Sequence, residues 1–358
     1  MKNTRIETIP IRVPIKPELA IRSGRGGSHV VSPFLLVKIH TDDSIIGIGE
    51  ASCTPRWRGE DQTSAAHVIA NYFAPSLVDE AVDDVGRLSA KFSTLVAGNH
   101  FTKAAVEMAL WDILGKAERK PVWQLLSGDT PSGFAEGVPP IPTKWSVSRV
   151  EPEKAAEIAR WAIGQGFAKM KVKVGIEPLQ DVARVRAERD AVGDNVKLGV
   201  DAHGGWKTPE VAIETIHRLC DECGIYFAEQ PLPAGGPAAM AEVRRNGGVP
   251  IIVDESAYTL ADAKMLARAN AADVFSIYIG KASGIGPALE IAEFAESVGI
   301  KCTIGSNLEL GVGSAAMIHI ALSASGIDAG SHPCDIIGPL FYEDDVLADP
   351  LPIAGGGA

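Results

Sequence analysis

Three short stretches decide the fold: KLGVDAHGG (197–205), IYFAEQPLP (225–233) and PIIVDES (250–256). Each is a brief apolar run that ends in a carboxylate and then a turn. Working outward, similar runs recur as IPTKWSVS (141–148), AKMKVKVG (168–175), DVFSIYIGK (273–281), IKCTIGS (300–306) and, weakest, PCDIIG (333–338). Helical periodicities such as EPEKAAEIARWAIGQG (151–166), LQDVARVRAERDAVG (179–193) and GPALEIAEFAESVG (286–299) lie between them. Eight strands alternating with helices at intervals of roughly 25 residues predict an α/β protein built on a (β/α)8 TIM barrel. An open doubly wound sheet is the alternative. It would place a Gly-rich phosphate turn after its first strand, and none is present.

The chain before this region has a different texture. RIETIPIRVPI (5–15) and SPFLLVKIHTDDSIIGIGEASC (32–53) read as strands, with TDDS as a turn. Between them KPELAIRSGRGGSHVV (16–31) is too rich in Gly and Arg to pack a core and reads as a mobile loop. Helical periodicity follows over 61–78, 83–96 and 101–120, the last ending at Pro121. The expected organisation is an α+β capping domain over 1–130, completed by the irregular C-terminal segment 338–358, and a barrel over 131–337.

Composition narrows the class of partner. The 358 residues are 46% hydrophobic and 22% charged, with a net charge of −11. No basic patch is large enough to make nucleic acid or an anionic membrane the main partner. Five scattered cysteines do not suggest a disulfide framework. Cys220 and Cys223 form a lone CxxC inside a helical run and read as packing residues, since a metal site needs further ligands nearby. No apolar run reaches the length of a membrane span, and a cytoplasmic location is expected.

In a barrel of this kind chemistry sits at the carboxyl ends of the strands. Those ends carry Lys171 and Lys173, then Asp201, Glu229, Asp254, Tyr278, Lys281 and Glu309. Three carboxylates converging from successive strands repel one another unless a cation lies between them. An all-oxygen ligand set selects a hard ion, and one Mg2+ is expected. The bland reading is salt bridges with the neighbouring lysines. Lys173, with Lys171 two residues back on the same strand face, flanks this group as the base. The competing reading is that both lysines only neutralise the acids.

At these residues the sequence resembles the enolase superfamily, in its muconate lactonizing enzyme subgroup. KVKVG, VDAHGGW, AEQPLP, VDES, AVEMALWDILGKAERKPVWQLLSG and GSNLELGVGSAA carry the resemblance, which covers nearly the whole chain. It implies a capping domain over a modified barrel and Mg2+ held by Asp201, Glu229 and Asp254. It further implies abstraction of the α-proton of a small-molecule carboxylate to an enediolate, a pattern the superfamily is known for. A homo-oligomer, dimer or octamer, is implied as well.

Two positions depart from the subgroup. SIYIGKASG (276–284) aligns with a pattern resembling N-I-K-x-x-K-x-G-G, so Tyr278 stands where a second catalytic lysine is usual and Lys281 matches the later, supporting lysine. A tyrosine, with its ordinary pKa of about 10, is a poor base but a usable acid or hydrogen-bond donor. The Lys173/Tyr278 pair therefore favours a one-base reaction, above all β-elimination of water, as in cis-3-hydroxy-L-proline dehydration. Muconate-type cycloisomerisation and epimerisation of amino acid derivatives or dipeptides are the alternatives, and Tyr278 as a mere pocket wall is the bland one. The second departure is His203, where Asn is commoner: it contacts substrate or bonds a neighbouring strand end.

Further substrate contacts are expected from two loops of the cap carrying Arg22, Arg25, Trp57 and Arg58, and from Glu309. Either Lys144 or Trp145 faces inward from the first barrel strand. Where the resembling dipeptide epimerases carry D-x-D for the substrate ammonium, this chain has Asp335-Ile336-Ile337, which weakens a dipeptide substrate. A catalytically silent binding protein, or a metal-dependent aldolase or hydrolase on the same barrel, leaves the paired lysines or the cap motifs unexplained.

Overall fold

The computed structural model describes residues 1–358 except 20, 23–27, 56–58 and 128–137 and the side chains of 21, 22, 28 and 29. Strands β1 (Asn3–Pro14), β2 (Val31–Thr41) and β3 (Ile46–Ser52) form an antiparallel sheet in that order. Leu35, Val37 and Ile39 alternate along β2 onto one face, against helix α1 (His100–Glu118). This helix is apolar nearly all round, because it is covered on two sides. Ala105, Val106, Ala109, Leu110 and Ile113 join the core of the cap, while Ala104 and Met108 join the core of the barrel.

Seven parallel strands follow in chain order: β4 (Trp145–Val147), β5 (Lys169–Lys173), β6 (Lys197–Asp201), β7 (Ala228–Glu229), β8 (Ile251–Val253), β9 (Val274–Ile277) and β10 (Lys301–Ile304). They are linked by helices α2 (Pro152–Gly164), α3 (Pro178–Val192), α4 (Pro209–Cys223), α5 (Pro237–Asn246), α6 (Leu260–Arg268) and α7 (Ile285–Ser297), with α8 (Gly311–Ser323) after β10. Helices α2 to α5 open on proline, whose fixed φ suits a first turn and whose missing N–H is not needed there.

The expected eighth strand is not regular. Residues 327–335 close the ring through isolated bridges, Ile327 to Cys302 and Cys334 to Thr143, and the Asp335 N–H donates to the Ile304 carbonyl at 2.8 Å. Pro142 and Pro333 flank the closure, and each removes a ladder donor, so no continuous strand forms. The C-terminal chain crosses back over both parts. Lys16 N–H donates to the Phe341 carbonyl and Glu343 N–H to that of Pro14, while Ala358 N–H donates to Ile141.

Trp145 turns outward and stacks on Phe341, ring centroids 4.8 Å apart, which leaves Lys144 facing inward. Cys220 and Cys223 pack at the end of α4 with free thiols. Among the described residues no helix is long and apolar enough to cross a membrane.

Candidate active site

Strand register assembles the site. Lys173 on β5 is the direct neighbour of Asp201 on β6, and Asp201 of Glu229 on β7. Because side chains alternate along a strand, residues two positions earlier line the same interior. There Phe227, Ile252 and Val274 form a small apolar cluster of their own beneath the polar layer. Asp201, Glu229 and Asp254 are all buried above it.

Lysines fill the space between these acids. Lys171 Nζ donates to Glu229 Oε1 at 3.0 Å and to Asp335 Oδ2 at 2.7 Å, and lies 3.4 Å from Asp201 Oδ2. Lys173 Nζ donates to Asp201 Oδ2 at 2.6 Å and sits 2.7 Å from His203 Nε2. Lys281 Nζ donates to the Asp254 carbonyl at 2.9 Å and also to its Oδ1. The Tyr278 hydroxyl donates to Asp254 Oδ2 at 2.7 Å. Pairing of acids with lysines, the bland reading of the strand ends, is thus part of the geometry.

The electrostatics sort these groups. Burial opposes the charge on Lys171, but Asp335, Glu229 and Asp201 together hold it well above the ordinary lysine range. Burial also acts against the Asp201 carboxylate, yet His203, Lys173 and Lys171 hold it well below the usual range. Glu229 is pushed up to about 7, first by burial and then, against the pull of Lys171, by Asp201, Asp254 and Asp335. Tyr278 is held well above the usual tyrosine range by burial and by Asp254.

The donor set fits a hard divalent cation. Three carboxylates from successive strands offer only oxygen, the donor set of a hard ion. Among the described residues no three His, Cys, Asp or Glu side chains are closed to coordination distance; the ammonium groups of Lys173 and Lys281 are closed onto Asp201 and Asp254 instead.

Of the remaining expected residues, His203, Lys144 and Glu309 lie among the described ones, and each is bound by protein groups. His203, with a left-handed backbone at φ 48°, is clamped between Lys173 and Glu255, its Nδ1 2.7 Å from Glu255 Oε1. Lys144 lies 3.2 Å from Asp335 Oδ1 and donates to the Pro333 carbonyl, so its charge is satisfied inside the barrel wall. Glu309 accepts from Ser306 Oγ at 2.5 Å and from the Asn307 N–H, tying its own turn. Arg25, Trp57, Arg58 and the side chain of Arg22 lie outside the described residues.

Two pairings are not legible in the sequence, where Asp335 is read only against the D-x-D of the resembling epimerases. Asp335 enters from the irregular eighth segment to hold Lys171, and Glu255, next to Asp254 in VDES, orients His203. A second acid beside the strand-end aspartate was the available signal for Glu255. For Asp335 the barrel register alone supplies it.

Comparisons with known proteins show the family. The description "Mandelate racemase / muconate lactonizing enzyme, N-terminal domain" matches residues 7–127, and "Enolase C-terminal domain-like" matches 153–358. The chain belongs to the enolase superfamily, in its muconate lactonizing enzyme subgroup, and is an enzyme of that class. Among its relatives is an N-succinyl-L-Arg/Lys racemase of Bacillus cereus, 31% identical over 97% of this chain and 90% of the relative. Another is a chloromuconate cycloisomerase of Cupriavidus pinatubonensis, 31% identical over 91% and 85%. A dipeptide epimerase of Cytophaga hutchinsonii, solved with Mg and the dipeptide D-Ala-L-Val, superposes with a TM-score of 0.87 at 31% identity, covering 96% of this chain and 89% of that one.

Proposed function

We propose that Lys173 is the single group of this chain that moves the α-proton of a small carboxylate, with no second base across the barrel. The observation that carries this is Tyr278, whose buried hydroxyl donates to Asp254 where a second lysine is usual. Burial and the Asp254 charge keep that hydroxyl protonated. Lys173 is held from two sides, by Asp201 and His203, and the charged Lys171 beneath it balances Glu229 and Asp335. One Mg2+ held by Asp201, Glu229 and Asp254 would offset the substrate carboxylate and the charge that appears as the α-proton leaves.

The relatives' names are those of isomerases. Racemisation and epimerisation need a proton removed on one face and returned on the other by groups that both exchange it, which Lys173 and a protonated phenol do not provide. Cycloisomerisation, the activity named for the Cupriavidus relative, adds a carboxylate oxygen to a carbon–carbon double bond to give an enediolate, whose α-carbon then takes a single proton from one group, the reverse of α-proton abstraction by Lys173. We place that reading first. β-Elimination of water, as from cis-3-hydroxy-L-proline, is second, and Tyr278 favours it: its O–H is a proton source for a leaving hydroxyl on the side away from Lys173. Dipeptide epimerisation is further weakened because Asp335 is held by Lys171 and Lys144.

Proton NMR in D2O with Mg2+ and a panel of muconates, hydroxyprolines, N-acyl amino acids and dipeptides tests all three. Lactone formation supports the first reading and loss of water the second. Deuterium entering an α-carbon with inverted configuration would mean two working bases and would overturn the one-base proposal.

A further inference from the structure

The segment AVEMALWDILGK (105–116) on α1 takes no part in the proton chemistry, yet its one acidic residue on the barrel side is buried against it. We infer that Glu107 is a positioning residue for the turn that carries Lys281 and adjoins Tyr278, a reading that rests on the function proposed above. The turn spans 279–284, between β9 and α7.

The contacts run the length of the turn. Glu107 Oε2 accepts the Ile285 N–H at 2.7 Å and Oε1 the Gly286 N–H at 2.8 Å, two of the donors that the start of α7 leaves without helical partners. Trp111 Nε1 donates to Oε1 at 2.9 Å and fixes the carboxylate plane. Gly284 has φ 146°, and a Cβ there would lie 2.6 Å from Glu107 Cδ, so only glycine admits the carboxylate this closely. Nearly two turns back on α1, the ring of Phe101 lies against Gly280, where a Cβ would come within 2.3 Å of Cδ1. His100 Nδ1 is 2.7 Å from Ser283 Oγ.

Inside the turn, Ala282 N–H donates to the Tyr278 carbonyl and Gly284 N–H to that of Ile279, both at 3.0 Å. A shift at Glu107 is therefore passed through two short hydrogen-bonded loops to Tyr278, and through Lys281 to Asp254. Lys173, on β5, lies on the other side of the ring. The capping domain thus sets part of the catalytic geometry through its helix, apart from any role of its loops.

The test is E107Q, which keeps the shape but turns an NH2 toward one of the two backbone donors, with G284A as a second variant in case the first does not fold. Three quantities are read: product formation, α-proton exchange into D2O, and backbone hydrogen exchange at 279–286 against 168–173. The expected result is product formation lower by about ten- to a hundredfold, as for a small misplacement of a reacting group. α-Proton exchange by Lys173 stays within about threefold of wild type, backbone exchange quickens at 279–286 alone, and E107Q adds nothing in a Y278F background. Equal loss of exchange and product, or unchanged backbone exchange at 279–286, would overturn the inference. If Y278F itself turns over normally, the reading of Tyr278 fails separately, and Glu107 is then judged by the backbone exchange.

Discussion

The hydroxyl of Tyr278 lies 2.7 Å from Oδ2 of Asp254, and Lys281 holds the other oxygen of the same carboxylate. Tyr278, which the resemblance sets against a second lysine, is therefore tied to the acid on the neighbouring strand. Glycine makes this possible. A Cβ on Gly305 of the adjoining segment would lie 1.9 Å from Tyr278 Cε1, so the ring occupies space that any other residue would fill.

Replacing Lys173 by alanine should abolish α-proton exchange, by at least about 10²- to 10⁴-fold for a lost general base, while Mg2+ binding is retained. NMR exchange together with calorimetric titration of Mg2+ checks both. Exchange at the wild-type rate would remove Lys173 from the role of base.

For Tyr278→Phe the expected outcome is product formation slower by about ten- to a hundredfold, the worth of one hydrogen bond to a charged partner, with α-proton exchange partly kept. Gly305→Ala should produce the same kinetic pattern by displacing the ring, and should lower stability by about 1–3 kcal/mol through overpacking. Thermal denaturation and turnover of the two variants check this. Normal turnover in both would make Tyr278 a pocket wall.

Chelation should stop turnover and added Mg2+ restore it. The ion should also stabilise the fold, by about 2.7 kcal/mol at a hundredfold excess over its Kd, and Asp254→Asn should lose that gain. A melting temperature indifferent to Mg2+ in the wild type would count against a metal bound by the three carboxylates.

Glu50 on β3 yields a pH prediction. Its carboxylate accepts the N–H groups of Leu310 and Gly313 at the start of α8, and burial pushes its pKa from 4.5 up to about 8 despite those two bonds. The folded protein therefore holds this proton more tightly than the unfolded chain. The stabilisation is complete below about pH 4.5 and is lost as pH rises towards 8, with a slope of at most about 1.4 kcal/mol per pH unit. Glu107, pushed to about 7 by burial, acts in the same direction. Wild type should lose stability relative to Glu50→Gln between pH 5 and 8; a constant difference across that range would contradict the assignment.

Much of the architecture was legible because it depends on neighbours along the chain. Alternating strands and helices announced the barrel, and the two-residue period put Lys171 and Lys173 on one face of β5. The same logic placed Asp201, Glu229 and Asp254 at successive strand ends, where the register of β5, β6 and β7 brings the first two beside Lys173. The eighth strand was overread, since a short apolar run around Pro333 carries a strand pattern but lacks the donors to extend one.

What the sequence alone determined was which residues reach the mouth of the barrel; which of them hold one another was decided by closure of the ring. Lys171 meets Asp335 across 164 positions, and Glu107 meets the start of α7 across 178. The choice between Lys144 and Trp145 fell to packing, because the indole found an apolar place against Phe341 and the ammonium was left to Asp335. Periodicity is set by sterics and burial within a few residues, whereas a buried charge takes whichever opposite charge the tertiary fold brings within a few ångströms.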